Sequence, residues 1–371
     1  MIKIAFIIDT IESPTGGTEK QLLLLLKHLD RTKFKPYLCI LRSSQWLREE
    51  FDLCEIFDAN ILSFKNPLSY LNIFRLSKFI RAEEIDIIQT HFRDASIAGI
   101  LAAKIAGVRT IVGTRRNQGY WYTPIELKMQ KFLNRWVTAF VSNSQSTKQW
   151  VMATEGVPEE KVTVIYNAID LAPFEALTQN DRISVRNELG IPQDVPVVGI
   201  VANLRPVKGL DVFVRAAALV KGKFPNVRFV IVGEGEERSR LEYLAIELKV
   251  QESVCFAGRR SDVTRILKSF DVGVLSSHSE SFSNSVVEYL AAGLPVVTTD
   301  VGGCREAVEG SGNGLIVQPN DFKSLADSVN HLIPKQDFHQ LNKQENWVLK
   351  TCSLPLIINQ TEELYTKLVG K

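Results

Sequence analysis

Two carboxylates and two cations mark where this chain could do chemistry. Glu280 and Glu288 bracket Ser281-Phe282-Ser283-Asn284-Ser285-Val286-Val287. Carboxylates accept hydrogen bonds from hydroxyls, so the pair suits the two polyol ends of one extended ligand. Ser283, Asn284 and Ser285 are cap-type residues, and a helix starting there offers free N–H groups and a positive dipole end to an anion. At 1.5 Å per residue, Glu288 would sit roughly 7.5 Å along the axis from Ser283. Arg205 and Lys208 lie in Ala202-Asn203-Leu204-Arg205-Pro206-Val207-Lys208-Gly209. A bidentate fork and a point charge at that spacing can neutralise a diphosphate.

Glycine-rich segments supply further candidates. Gly16 and Gly17, in Asp9-Thr10-Ile11-Glu12-Ser13-Pro14-Thr15-Gly16-Gly17-Thr18-Glu19, precede a helical stretch; they permit close backbone approach and unusual dihedrals beside an anion-binding helix start. Gly233 and Gly235 follow the apolar run Val230-Ile231-Val232, where a base or ribose could pack on bare backbone. Arg238 stands where a dinucleotide fingerprint needs its third glycine. His91, Arg115 and Arg116 follow apolar runs of the first half. His278 reads as loop.

These segments need a scaffold that gathers them. Short apolar, β-branched runs alternate with amphipathic stretches along the chain. Strands are expected at Lys3–Ile8, Pro36–Leu41, Ile85–Gln89, Thr110–Thr114, Ala139–Ser142 and Val162–Ile165, then at Val197–Ala202, Arg228–Val232, Val254–Ala257, Val272–Leu275, Val296–Thr298 and Leu315–Val317. Runs apolar on both faces suit parallel strands covered by helices, and the intervening stretches are long enough for right-handed crossovers. About twelve strands divide better into two sheets than one. The break is expected near Asn167–Pro173, giving domains 1–170 and 171–354, with the amphipathic helix of 355–371 a candidate to return to the first. Thr178–Asp181 reads as polar and non-periodic, ahead of a helix to Leu189. Two doubly wound domains facing across a cleft would place every candidate loop at the carboxyl ends of strands, where such sheets bind ligands.

Composition removes other classes. The 371 residues carry 44 basic and 42 acidic side chains, a balance that points to no nucleic-acid partner. Residues 1–170 hold 22 basic against 18 acidic, a mild bias toward an anionic surface or substrate in that half. No apolar run approaches a bilayer span, and the first residues lack the layout of a signal peptide. Cys39, Cys54, Cys255, Cys304 and Cys352 are scattered without a CxxC pair, so no metal site is expected and reduced thiols in the cytoplasm are.

The stretch ESFSNSVVE, with AAGLPVVTTDVGG downstream, resembles the E-x7-E signature of the retaining GT-B glycosyltransferases of family 4 (glycosyl transferases group 1). GGTEKQLLLL, VIYNAID, VGEGEERSRLEYLA and FAGRRSDVTRILKSFDVGVLSS are similar to other stretches of that family, in the same order. The resemblance implies an α/β GT-B fold and transfer from a UDP-, GDP- or other NDP-sugar to a saccharide or lipid-linked acceptor, in cell-surface polysaccharide or glycolipid synthesis. It implies Glu280 on the donor sugar, Glu288 on the ribose, Arg205 and Lys208 on the diphosphate, and Ser283–Ser285 on phosphate. Gly16 and Gly17 would approach the donor from the other domain.

Two departures stand out. Relatives often carry an arginine five residues before the lysine, where this chain has Asn203. They also often carry a histidine after the fourth strand of the first domain, where this chain reads Gly113-Thr114-Arg115-Arg116-Asn117; against that pattern Arg115 or Arg116 is a candidate for the sugar or acceptor side, and His91 is another cleft candidate. No cofactor is expected, and no Asp-x-Asp triplet occurs, so the reaction is expected to proceed without a metal. The competing readings are a non-catalytic nucleotide-sugar-binding protein and a sugar-nucleotide epimerase of the same fold. Gln118-Gly119-Tyr120-Trp121-Tyr122 with Lys128, Lys131, Phe132, Arg135 and Trp136 mixes aromatics and cations. Such a stretch suits an anionic membrane surface and peripheral attachment at the inner face.

Overall fold

The computed structural model describes residues 1–119, 122–334 and 347–370. The chain forms two compact units, one of Met1–Ala168 with Pro355–Lys371, the other of Ile169–Leu354.

The first unit holds seven parallel strands: β1 (Ile2–Ile8), β2 (Phe34–Ile40), β3 (Glu55–Asp58), β4 (Ile87–Thr90), β5 (Thr110–Arg115), β6 (Ala139–Ser142) and β7 (Val162–Val164). Their order is β3-β2-β1-β4-β5-β6-β7. β1 is central, in register with β2 from Ile2↔Phe34 to Ile8↔Ile40 and with β4 from Ile4↔Ile87 to Ile7↔Thr90. Its residues Ile4 to Ile8 are wholly buried, as a strand sandwiched between helix layers must be. β3 is absent from the strands expected on sequence. Its four residues Glu-Ile-Phe-Asp carry two apolar side chains between acids, because an edge strand needs only half a hydrophobic pattern.

The terminal helix Leu354–Val369 belongs to this unit. Tyr365 is buried edge-on between Phe6 and Phe34, and its hydroxyl donates to Gln89 Oε1 at 2.6 Å. Glu362 accepts the Asp30 N–H at 2.8 Å.

The second unit holds six parallel strands: β8 (Val197–Val201), β9 (Arg228–Val232), β10 (Val254–Gly258), β11 (Val272–Leu275), β12 (Val296–Thr299) and β13 (Gly314–Val317), ordered β10-β9-β8-β11-β12-β13. All six match runs expected on sequence. Its core gathers Ile200, Phe213, Phe229, Ile231, Val274 and Leu325 among others. Thr178–Asp181, read on sequence as a non-periodic stretch ahead of the helix, is the start of that helix. The Asp181 carboxylate accepts from the Thr178 N–H and hydroxyl, both at 2.8 Å, and the helix runs from Gln179 to Glu188.

A fully buried arginine ties this unit together. Arg186 donates to the carbonyls of Ser269, Pro192, Gln193 and Val195 and to Asp271 Oδ2 at 2.8 Å. Asp271 also accepts the Val197 N–H at 2.7 Å and the Arg182 guanidinium at 2.7 Å. One carboxylate thus joins the starts of β8 and β11 to the Gln179–Glu188 helix.

Candidate functional site

In both sheets the strand order reverses between two neighbouring strands, β1 and β4 in the first and β8 and β11 in the second. Loops leaving such a pair diverge and open a crevice at the strand ends. The loops after β8 and β11 contain Arg205, Lys208, Glu280 and Ser283; those after β1 and β4 contain Gly16 and His91, and Gly17 opens the helix that follows β1.

The second unit brings its expected residues together. Lys208 Nζ lies 2.6 Å from Glu280 Oε1, although 72 positions separate them. The Ser277 hydroxyl donates to the same oxygen at 2.8 Å. The two loops are stitched along their length: the His278 N–H donates to Val207 O at 2.8 Å and the Ser276 hydroxyl to Lys208 O at 3.1 Å. Gly209 has φ +58°, and a Cβ there would collide with the Ser276 carbonyl. The glycine therefore lets the lysine loop close on the glutamate loop. Lys208 keeps 26% of its side-chain surface exposed and Glu280 12%. Arg205 is exposed and makes no ion pair among the described residues.

Ser283 caps the Asn284–Ala291 helix, its hydroxyl accepting the Val286 N–H at 3.4 Å. Ser285 donates to Val201 O at 2.8 Å, and the Val201 N–H donates to Tyr289 Oη at 2.7 Å. The helix is thereby pinned to the end of β8, with half-buried Glu288 one turn further along. Gly233 has φ +139°, and a Cβ on it would strike the Ala202 carbonyl. The loops after β8 and β9 hence run in backbone contact, and only glycine serves there.

The first unit arranges its candidates differently. Gly16 has φ −62° and ψ 141°, ordinary extended backbone, so the unusual dihedrals expected of it are not used. It is the cap residue of the Gly17–His28 helix, and Gly17 is exposed. Near these candidates the strained backbone is instead at Phe92, a non-glycine at φ +67° between β4 and the Arg93–Ala106 helix.

His91, directly before it, is buried with both nitrogens engaged. The Thr114 hydroxyl donates to Thr90 O at 2.6 Å, so its oxygen receives the His91 Nδ1 proton at 3.2 Å. Gln89 accepts from Tyr365 through Oε1, so its amide nitrogen donates to His91 Nε2 at 3.3 Å. This network holds one neutral tautomer. Burial, then the nearby Arg116, pushes the ring pKa down to about 3. His91 is therefore a fixed wall residue with both ring nitrogens engaged, rather than a group facing the sugar or acceptor side.

A pH dependence follows. The unfolded ring titrates near 6.5 and the folded one near 3, so between these values the unfolded chain binds more protons. Stability from this site is fully present above pH 6.5 and is lost as pH falls toward 3. Asp9 acts oppositely. Burial and then Asp94 raise it to about 6, so its contribution falls as pH rises from about 4 to 6. His91→Gln is expected to be less stable than wild type at pH 7.5, with the gap narrowing at pH 5. Urea midpoints at the two pH values check this; a constant gap would show that the ring is not held neutral.

Arg115 also turns inward. Its Nε and one NH2 group grip Glu155 at 2.8 and 2.9 Å, the other group donates to Thr114 O, and the guanidinium stacks 5.0 Å from the Phe140 ring. Asn134 donates to the same glutamate at 2.7 Å. This satisfied ion pair contradicts a sugar- or acceptor-facing guanidinium. Arg116 donates to Asn167 Oδ1 at 2.5 Å, and burial lowers its pKa to about 10. Both arginines, with Thr18, Arg93, Asn117 and Tyr122, line a small cavity beside Phe92.

Asp9, at the end of β1, was not singled out on sequence. Its carboxylate accepts the Ala95 N–H at 2.8 Å and lies 3.6 Å from Arg42, joining β1 to the helix after β4. A lone acid directly after the apolar run Ile4–Ile8 was the available signal.

Residues 15–173 match the family Glycosyltransferase Family 4, and residues 181–348 match Glycosyl transferases group 1. An uncharacterized glycosyltransferase of Methanocaldococcus jannaschii is 31% identical over 61% of this chain and 59% of its own length. A UDP-Gal:alpha-D-GlcNAc-diphosphoundecaprenol alpha-1,3-galactosyltransferase of Escherichia coli is 25% identical over 84% of this chain and 82% of its own. Among solved structures, the Anabaena HepE protein in complex with UDP and glucose superposes with a TM-score of 0.84. It is 24% identical and covers 99% of this chain and 100% of its own. A Rickettsia africae glycosyltransferase superposes with a TM-score of 0.85 at 22% identity, over 99% of both chains. These likenesses identify the fold of both units as GT-B, two Rossmann-like α/β domains.

Proposed function

Because the chain carries a Glycosyltransferase Family 4 domain followed by a glycosyl transferases group 1 domain, we propose that it is a glycosyltransferase using a nucleotide-diphosphate sugar. Its acceptor is a saccharide or a lipid-linked saccharide, and the anomeric configuration is retained. The observation that carries the reading is the Lys208–Glu280 pair, set between the loops after β8 and β11.

The chemistry needs counter-charge where a nucleoside diphosphate departs. Lys208 and Arg205 provide two cations, and the start of the Asn284–Ala291 helix adds aligned N–H groups. With that charge built into the chain, transfer proceeds without a metal. When donor binds, Lys208 exchanges Glu280 for phosphate oxygens. Glu280 is then released to accept hydrogen bonds from the sugar hydroxyls, still oriented by Ser277. Glu288 takes the ribose. The acceptor attacks on the face the leaving phosphate vacates, and that phosphate helps remove the acceptor proton. A lipid-linked acceptor is consistent with the named activity of the Escherichia coli relative, which spans most of this chain.

The test is nucleoside diphosphate release across a panel of nucleotide sugars, with and without saccharide and diphosphoprenyl acceptors. Release that requires acceptor, with a product keeping the donor's anomeric configuration by NMR, supports the reading. Donor conversion without acceptor would assign an epimerase, and binding without release a non-catalytic protein.

A further inference from the structure

The Glu280–Ser283 loop of the second unit is held differently at its two ends. From Ser283 onward, the Asn284–Ala291 helix is pinned to β8 through Ser285 and Tyr289. At the other end, Glu280 and Ser281 rest on the turn after β12. Gly302, at φ +51°, leaves room for the Glu280 carbonyl, and the Gly303 N–H donates to Ser281 O at 2.7 Å. Between the two ends stands Phe282, only 5% exposed.

What covers Phe282 comes from the far end of the unit. Its ring lies 6.5 Å from that of Trp347, tilted by 45°, within the range of aromatic contact. Trp347 opens the short helix Trp347–Thr351, which packs against both Asn284–Ala291 and Cys304–Ser311. That helix is anchored. Val348 and Cys352 are wholly buried, the Ile169 N–H donates to Cys352 O at 2.8 Å, and Ile169 O accepts the Leu354 N–H at 3.0 Å.

The indole also has a seat. Gly310 lies in the Cys304–Ser311 helix, where alanine is the better helix former. A Cβ on Gly310 would collide with Nε1 and Cδ1 of Trp347. Bare backbone is therefore what lets the indole lie against this helix and reach Phe282. The same helix begins directly after the Gly302–Gly303 turn that supports Glu280. Trp347 was not singled out on sequence. The aromatic stretch that was lies in the other unit, with Tyr120 and Trp121 outside the described residues.

We propose that Trp347 is a positioning residue for the donor sugar: through Phe282 it fixes the backbone that carries Glu280, while β8 fixes the helix start that meets phosphate. The proposal rests on the glycosyltransferase reading and deepens it at the sugar end of the site. In the resting chain Lys208 holds Glu280 directly. Once Lys208 turns to the diphosphate, Glu280 relies on Ser277 and on its own backbone. That backbone is steadied by the packing behind it, as a ligand-binding group requires. Loss of the indole therefore weakens the sugar contact and leaves the diphosphate contact in place.

Trp347→Leu, Trp347→Phe and Gly310→Ala in the full chain test this, with a panel of UDP-, GDP-, ADP- and dTDP-sugars as donors and the matching nucleoside diphosphates as inhibitors. Trp347→Leu is expected to lower kcat/KM for the donor that wild type uses by about 10–100-fold, the scale of a misplaced reacting group. The inhibition constant of the matching nucleoside diphosphate should stay close to the wild-type value. Trp347→Phe keeps an aromatic ring toward Phe282 and should recover most of the rate. Gly310→Ala, which pushes the indole off its seat, should reproduce the loss. Added to Trp347→Leu it should change nothing more, since no indole remains to displace. If circular dichroism shows that Trp347→Leu does not fold, Gly310→Ala and Trp347→Phe decide by the same split between donor and diphosphate. The proposal is overturned if the folded variants transfer like wild type. It is overturned equally if donor kcat/KM and diphosphate affinity fall in step, which would make Trp347 general support for the unit. Wild type that transfers from none of the nucleotide sugars overturns the glycosyltransferase reading itself, and the proposal with it.

Discussion

Lys208→Ala is expected to lower sugar transfer by about 10²–10³-fold, the usual loss when one pre-positioned charge partner of a developing anion is removed. The fold should otherwise remain intact. Lys208 is half-buried, and its carboxylate partner keeps the Ser277 hydroxyl, so no charge is stranded in the core. Thermal unfolding of the variant should therefore track wild type. Glu280→Gln separates the two roles assigned to the pair. It keeps the size and one acceptor but loses the charge, so it should weaken donor-sugar selection while Lys208 still meets the diphosphate. Steady-state transfer with the best donor of the panel measures both. If Lys208→Ala transfers sugar at the wild-type rate, the lysine does not hold the leaving group and the site is misassigned.

Arg186→Met is expected to destabilise the second unit by about 3–5 kcal/mol, the cost of breaking a buried pair from one side. The side chain is 0% exposed and serves four carbonyls besides Asp271. Methionine fills the volume but leaves those carbonyls and one carboxylate oxygen with fewer partners. Arg182 still holds the other oxygen of Asp271, which sets the loss nearer the lower bound. Urea unfolding followed by hydrogen exchange at β8 and β11 amides checks the value and its location. A loss below about 1 kcal/mol would mean that the arginine is replaceable packing.

The strands of the second unit were legible because each is a short run apolar on both faces. That pattern is local, and a parallel interior strand produces it wherever it lies in the order. β3 was not legible for the complementary reason: Glu55–Asp58 is an edge strand, and half its side chains face water. The Thr178–Asp181 cap was misread because capping residues are polar and aperiodic, like a loop.

Charged residues divide in the same way. Glu280, Lys208 and the Ser283 cap could be found from residue type, spacing and position after a strand. Their convergence could not, because the Lys208–Glu280 contact depends on β8 and β11 being neighbours. Arg115 and Arg116, adjacent in the chain, looked alike. The structure commits Arg115 to a buried grip on Glu155 and Arg116 to Asn167.

By itself the sequence determined the alternation of strands and helices, the two-domain division and the residue types able to meet a diphosphate and sugar hydroxyls. All of these are written in local periodicity and composition. Tertiary structure alone decided which strands are neighbours, which loops close on each other, and which charges are buried with partners. Those outcomes rest on contacts between residues far apart in the chain, and a polar side chain carries no local mark of the distant group that will satisfy it.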